Sequence, residues 1–326
     1  MEATGAARPG PGSGTAGRWW SAMGPTGGAV LALVVLVAVN AVFTPNFASV
    51  GNFWNVLFQL SVTLLVAVGM TLVIATGGID LSVGSVMAIS AAVAAVTLED
   101  YGLAGAVVLA LLAGMAVGAL NGAFVSYFKV QAIVVTLATL LAGRGLAQII
   151  NRDGALISID DPGFLVLGRG HLGPVPVQVL IAAAVVGLAV FLLRSTPFGR
   201  YVLAAGGNPA AARLAGVPVN RTVVSVYVLS GLLAGLAGLV EASRLGASAA
   251  ARIGQGAELD AIAAVVVGGT LLSGGRATIL GTVVGALIMQ VIATSFNMLL
   301  IPYAWALAFK ALIILFAVYL QRPRRV

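Results

Sequence analysis

Long apolar stretches separated by short polar ones recur from Gly27 to Leu320. Runs such as 29–39 and 311–318 are continuously apolar, without the every-second-residue alternation of an outer-membrane barrel strand, so the pattern predicts membrane-crossing helices. Ten crossings are expected, at 27–43, 56–76, 80–98, 103–126, 130–150, 175–193, 222–240, 254–272, 277–300 and 303–320. Some of them are short or broken, and an even number puts both termini on one side. The eighth is the weakest, because its purely apolar part, 261–272, is too short to cross and a re-entrant segment is the alternative. Doubling back would leave Arg322, Arg324 and Arg325 outside, which favours a crossing that includes Glu258 and Asp260 near its outer end.

The sharpest break in the apolar pattern is GMTLVIATGGIDLSVGS at 69–85, where a glycine pair, a carboxylate and two serines interrupt a span. An ionisable group in lipid costs about 2.5 to 3.5 kcal/mol on insertion scales, so Asp80 needs a cavity or a partner. With Ser82, Ser85, Asn121, Thr136, Thr139, Arg144, Gln148, Gln290 and Asn297, it forms a set of mostly neutral hydrogen-bonding groups suited to an uncharged, polyhydroxylated solute. Asp80, Ser82, Ser85, Asn121, Thr136, Arg144 and Gln290 are the candidates for the substrate pathway. Against this stands a structural reading, in which hydroxyls bond to their own helix and Arg144 neutralises a carboxylate or caps a helix end. Lys310 in the last span either snorkels or pairs with an acid. A reduced echo of the break, GGTLLSGG at 268–275, shares glycines and a Leu-Ser pair with GGIDLSVG at 77–84. Glycines four apart at 114, 118 and 122, at 231 and 235, and at 281 and 285 allow close helix approach, within one subunit or between two.

Composition then narrows the class. With 60% hydrophobic and 8% charged residues, the 326-residue chain is an all-α polytopic membrane protein and not a soluble domain. Its net charge of +7 reflects topology and implies no nucleic-acid partner, since eleven of the seventeen basic residues fall on the side assigned to the cytoplasm: Arg8, Arg18, Lys129, Arg194, Arg200, Arg213, Arg221, Arg276, Arg322, Arg324 and Arg325. Both termini are thereby expected in the cytoplasm. There is no cysteine and a single His171, so neither a cysteine nor a multi-histidine metal site can form, and no cofactor is implied in this chain. The absence of HExxH and GxSxG removes support for a membrane enzyme. Residues 1–26, rich in Gly, Ala and Pro, read as a disordered cytoplasmic tail, and 27–326 as one transmembrane domain.

The longest cytoplasmic connection, 194–221, contains NPAAARLAGVP, which reads as a short capped helix. Asn208 is its N-cap, Pro209 fits the first helical position, Gly216 ends it and Pro218 blocks its continuation. So short a helix needs a surface to pack on, either a docking partner or the lipid interface.

At these residues the chain resembles the permease subunits of ribose, xylose and galactofuranose-type ABC sugar importers. The resemblance covers about 50–321 and rests on GMTLVIATGGIDLSVGSVMAI at 69–89, TPFGRYVLAAGGNPAAARLAGV at 196–217 and ELDAIAAVVVGGTLLSGGRATILGTVVGA at 258–286. It implies a permease of the bacterial cytoplasmic membrane that pairs with a second copy or a paralogue. It also implies an ABC ATPase in the cytoplasm and an extracytoplasmic binding protein that delivers the sugar. Ala211, Ala212 and Gly216 look like the core of the loop by which importer permeases contact their ATPases, with Asn208, Pro209 and Arg213 around it, although Ala210 stands where an acidic residue is usual. Neither lysine, Lys129 nor Lys310, is followed by Ser or Thr, so no phosphate-binding Walker A loop is present and ATP hydrolysis is expected in another chain. Without the resemblance, composition equally admits a stand-alone secondary transporter or facilitator of small polar solutes, with Asp80 as its coupling group.

Overall fold

The computed structural model describes residues 24–320. Each apolar run forms a helix, since a helix alone satisfies its backbone polar groups within one segment. In chain order these are α1 (Gly24–Phe43), α2 (Val50–Ala75), α3 (Val83–Ser126), α4 (Ala132–Ile150), α5 (Pro162–Arg169), α6 (Val177–Ser195), α7 (Pro197–Gly207), α8 (Pro209–Leu214), α9 (Val219–Leu245), α10 (Ala257–Val267), α11 (Ile279–Met298) and α12 (Tyr303–Leu320). Six of them, α2, α3, α4, α6, α9 and α11, are long and apolar enough to cross a membrane, and α1 and α12 contain shorter apolar stretches. Residues 24–26, read from sequence as tail, open α1; residues 1–23 and the terminal arginines lie outside the described residues.

At 44 residues α3 would be about 66 Å long if straight, roughly twice the hydrocarbon thickness of a bilayer. It is not straight. Gly102, at φ 67° and ψ 178°, interrupts it. Ser90 Oγ donates to the carbonyl of Ala110 at 2.9 Å and Asn121 Nδ2 to Ser82 Oγ at 2.9 Å, so the two arms fold back on each other. They correspond to the expected spans at 80–98 and 103–126.

The core lies where α2, the first arm of α3 and α9 meet, with Leu65, Met70, Ile74, Met87 and Leu239 fully buried. Close approach there depends on missing side chains. A Cβ on Gly114 would sit 2.5 Å from the carbonyl oxygen of Gly231, and one on Gly122 would sit 2.8 Å from Val224 Cα. Gly281 and Gly285 of α11 pack in the same way on Gly268 and Ala264. The four-residue glycine spacing thus serves packing within this chain.

One expectation needs correction. The stretch 254–272 is not a continuous helix, because α10 covers only Ala257–Val267, eleven residues or about 16 Å. Left-handed Gly246, Gly254 and Gly256 keep the preceding backbone non-helical, and Gly269 at φ 88° does the same after it. Glu258 and Asp260 consequently stand in the first turn of a half-length helix, within the broken segment. Before it, β4 (Ala247–Ser248) pairs antiparallel with β1 (Ile157–Ser158), while β2 (His171–Leu172) and β3 (Val175–Pro176) form a second small ladder. After it, Gly275 N donates to the carbonyl of Ala75, the last residue of α2. The 194–221 connection holds the expected short helix, α8, and ahead of it α7, which Pro197 opens at the first helical position.

Candidate functional site

The apolar helix α2 stops at Ala75 because Gly77 takes φ 83° and its N–H turns back to Ile74 O at 2.9 Å. The chain is non-helical through Asp80 and re-enters a helix at Val83. Asp80 is 1% exposed, and its carboxylate is held on both oxygens. Oδ1 accepts from Ser82 N at 3.0 Å and Ser82 Oγ at 2.6 Å, and Oδ2 accepts from Ser230 Oγ of α9 at 2.8 Å. Ser82 Oγ accepts in turn from Asn121 Nδ2, whose Oδ1 accepts from Thr139 Oγ1 at 2.6 Å. Ser85 Oγ donates to Ser82 O at 2.8 Å, and Thr136 Oγ1 lies 3.2 Å from Ile79 O.

One continuous chain, Ser230–Asp80–Ser82–Asn121–Thr139, therefore fastens the break to α9, to the second arm of α3 and to α4. Asp80, Ser82, Ser85, Asn121 and Thr136 come together, all buried. Ser230 was missed by sequence reasoning. A lone serine 150 positions from its carboxylate, in an apolar span, carries no local mark.

Arg144 and Gln290 lie apart from that network. Arg144 Nη1 donates to the carbonyls of Ala250 at 2.8 Å and Ile253 at 2.6 Å, with Nη2 3.5 Å from Gly254 O. Gly254 N donates to Glu241 Oε2 at 3.2 Å, so Arg144 and Glu241 pin the non-helical stretch before α10 from two sides. Gly84 admits that stretch, since a Cβ there would overlap the carbonyl oxygen of Gly254. Gln290 Nε2 donates to Gln59 Oε1 at 3.2 Å and to Thr294 Oγ1 at 3.1 Å, forming a second polar patch between α2 and α11. Lys310 takes the pairing option, with Nζ 2.7 Å from Asp260 Oδ1.

Removing the Arg144 brace should loosen the stretch it holds. Hydrogen bonds from a charged donor contribute about 1.5 to 3 kcal/mol each. In an Arg144→Ala background a cysteine at Ala250, fully buried in the native chain, is expected to react with a thiol reagent at least about tenfold faster, the equivalent of one such bond. Unchanged reactivity would show that Glu241 alone fixes the stretch.

At the end of the bundle where α2 stops, Asn208 Oδ1 accepts from Ala210 N at 3.1 Å and Ala211 N at 3.0 Å, capping α8. Its other end is closed by Gly216 N to Arg213 O at 3.0 Å and Val217 N to Ala212 O at 2.9 Å, with Gly216 at φ 80°. That paired pattern is a Schellman closure, which uses the free carbonyls of the last turn. Ala212 packs inward with Ala205 and Val219, whereas Arg213 is exposed and Leu214 is 93% exposed.

The fold and site define a multi-pass helical membrane protein with a polar break clamped at its centre and a doubly capped helix presented at one end. The family described as branched-chain amino acid transport system / permease component matches residues 52–318, and the chain belongs to that family of permeases. The ribose import permease protein RbsC of Escherichia coli K12 is 44% identical over 303 residues, covering 91% of this chain and 93% of the relative. The galactofuranose transporter permease protein YtfT of the same organism is 39% identical, covering 90% of this chain and 89% of its own. The L-arabinose ABC transporter permease protein AraH of Azospirillum brasilense is 39% identical over 91% of this chain and 88% of its own. No solved structure matches the chain.

Proposed function

We propose that this chain is the membrane-spanning subunit of an ATP-driven importer in the bacterial inner membrane and forms the route for a monosaccharide handed over by an extracytoplasmic binding protein. Permease components are not enzymes, and ATP hydrolysis belongs to a separate ABC ATPase that docks on α8 within the 194–221 loop. A second permease, identical or paralogous, completes the route. The observation that carries this reading is the presentation of Leu214 on a helix fixed at both ends, in a chain whose relatives are named as sugar import permeases. In it the Asp80 network holds the broken segment in shape, and the substrate meets the bundle around the two broken spans.

Uptake of a labelled panel of pentoses and hexoses, furanose-forming sugars included, tests the substrate class. Saturable uptake of one monosaccharide is expected. Uptake of a branched-chain amino acid instead, as the family description would suggest, overturns the sugar assignment.

The orientation is part of the same proposal: ten crossings with both termini in the cytoplasm, counting the arms of α3 separately and the broken 246–278 segment as one. The distribution of basic residues supports it. The native chain has no cysteine, so single cysteines report cleanly. A cysteine at the exposed Ser158 should react with an impermeant reagent in intact cells and one at the exposed Arg200 should not. The opposite result inverts the topology.

A further inference from the structure

Three glycine-bearing segments meet at the end of the bundle that presents α8, and the hydrogen bonds of the Asp80 network involve none of their glycines. Gly275 N donates to the carbonyl of Ala75, the last residue of α2, at 2.9 Å. A Cβ added to Gly274 would stand 2.8 Å from Gly77 N and 3.1 Å from Gly206 O, and one added to Gly275 would stand 2.8 Å from Gly207 Cα. One added to Gly206 would lie 2.7 Å from Gly275 N and overlap the carbonyl oxygen of Ala75. The backbones of 75–77, 206–207 and 274–275 therefore touch with no side chain between them. Gly77, Gly274 and Gly275 hold φ values of 83°, 82° and 78°, a region that side chains rarely adopt.

The junction has a particular place in the chain. Gly206 and Gly207 close α7, and the next residue, Asn208, caps α8. Gly77 opens the segment that carries Asp80. Gly274 and Gly275 belong to the non-helical turn between α10 and α11, and α10 is tied to α12 through Asp260 and Lys310. The two similar motifs, GGIDLSVG and GGTLLSGG, are not copies in space, since Gly77 is left-handed while its counterpart Gly268 has φ −68°. They meet instead, Gly77 against Gly274.

We propose that Gly206, Gly274 and Gly275 are positioning residues for transport: their backbone junction carries a displacement of α8 to both broken segments at once. This rests on the reading of α8 as the ATPase-docking helix. A side chain at such a contact can absorb a shift by changing rotamer, whereas a backbone in direct contact with another backbone must push it. Coupling through packed elements of this kind responds to single substitutions by about 0.5 to 2 kcal/mol, roughly twofold to thirtyfold.

Neighbouring glycines supply the test. Gly206→Ala drives a methyl group into Ala75, whereas a Cβ on Gly207 would meet only Gly275 Cα, at 3.7 Å, an ordinary contact. The permease is reconstituted in lipid with its ATPase and sugar-loaded binding protein, and three quantities are read: ATPase co-purification, sugar-stimulated hydrolysis, and sugar moved per ATP. Gly206→Ala is expected to assemble normally and to lose at least about threefold in sugar moved per ATP, with Gly207→Ala within twofold of wild type. If Gly206→Ala does not reach the membrane, Gly207→Val decides. Gly207 is exposed, so the protein can fold around the larger side chain, whose branched Cβ wedges against Gly275 and should lower the same ratio. Wild-type sugar per ATP in an assembled Gly206→Ala variant, or in Gly207→Val where the first is absent, overturns the junction. A wild-type permease that binds no ATPase would instead remove the underlying reading of α8.

Discussion

Asp80→Ala should abolish uptake and deplete the permease from the membrane, while Asp80→Asn should retain most of both. The alanine variant strands three buried donors, Ser82 N–H, Ser82 O–H and Ser230 O–H, at a site 1% exposed. A buried polar group left without a partner costs about 1 to 3 kcal/mol, and three of them approach the whole stability of a typical domain, about 5 to 15 kcal/mol. Asparagine keeps the shape. Its amide oxygen can accept both bonds from Ser82, and its NH2 can donate to the hydroxyl oxygen of Ser230, which rotates to accept. Uptake normalised to the amount of permease in the membrane separates the two cases. Loss of uptake by Asp80→Asn at normal abundance would show that the negative charge itself acts in transport, and that the network is more than a clamp.

The second large effect is expected at α8. Leu214→Asp should leave the permease folded, because this side chain is 93% exposed and touches little of its own chain, yet should remove ATPase binding. Burying a leucine in a partner contributes about 1.5 to 3 kcal/mol, so its loss weakens association by roughly tenfold to a hundredfold before the desolvation of aspartate is added. Arg213→Glu, a change at an exposed charge, should cost no more than about 1 kcal/mol. Gly216→Pro should uncouple transport, since proline fixes φ near −65° where the structure requires 80° and removes the N–H that bonds to Arg213 O. Co-purification of the ATPase with each variant, and sugar-stimulated ATP hydrolysis for Gly216→Pro, are the measurements. A Leu214→Asp permease that still captures its ATPase would exclude α8 as the principal docking surface.

Much of this was legible in the sequence where the signal is local. Apolar runs place the ends of the long helices to within six residues, and the caps of α8 were readable from Asn208, Pro209 and Gly216, because a cap is chemistry between neighbours in the chain. The Asp80, Ser82, Ser85, Asn121 and Thr136 group was found as a set of polar residues in apolar spans, but its geometry was not, since Asn121 and Ser230 reach Ser82 and Asp80 across 39 and 150 positions. Arg144 and Gln290 show the limit of that logic. Polarity in a span marks a residue as needing a partner, and the partners of Arg144 proved to be the backbone carbonyls of Ala250, Ile253 and Gly254, in the loop that leads into the start of the expected eighth span. Hydropathy fails there for a physical reason: Gly254 and Gly256 are apolar enough to pass as membrane residues, but they adopt left-handed backbone that no helix contains.

The central claim is that this chain is one part of an ATP-driven sugar importer and moves nothing by itself. Proteoliposomes containing the permease, with and without its ATPase, its binding protein and internal ATP, test it most directly. Sugar accumulation is predicted only when all are present, and it should stop when ATP is replaced by a non-hydrolysable analogue. Accumulation by the permease alone, driven by a proton or sodium gradient, would contradict the account and make the chain a secondary transporter.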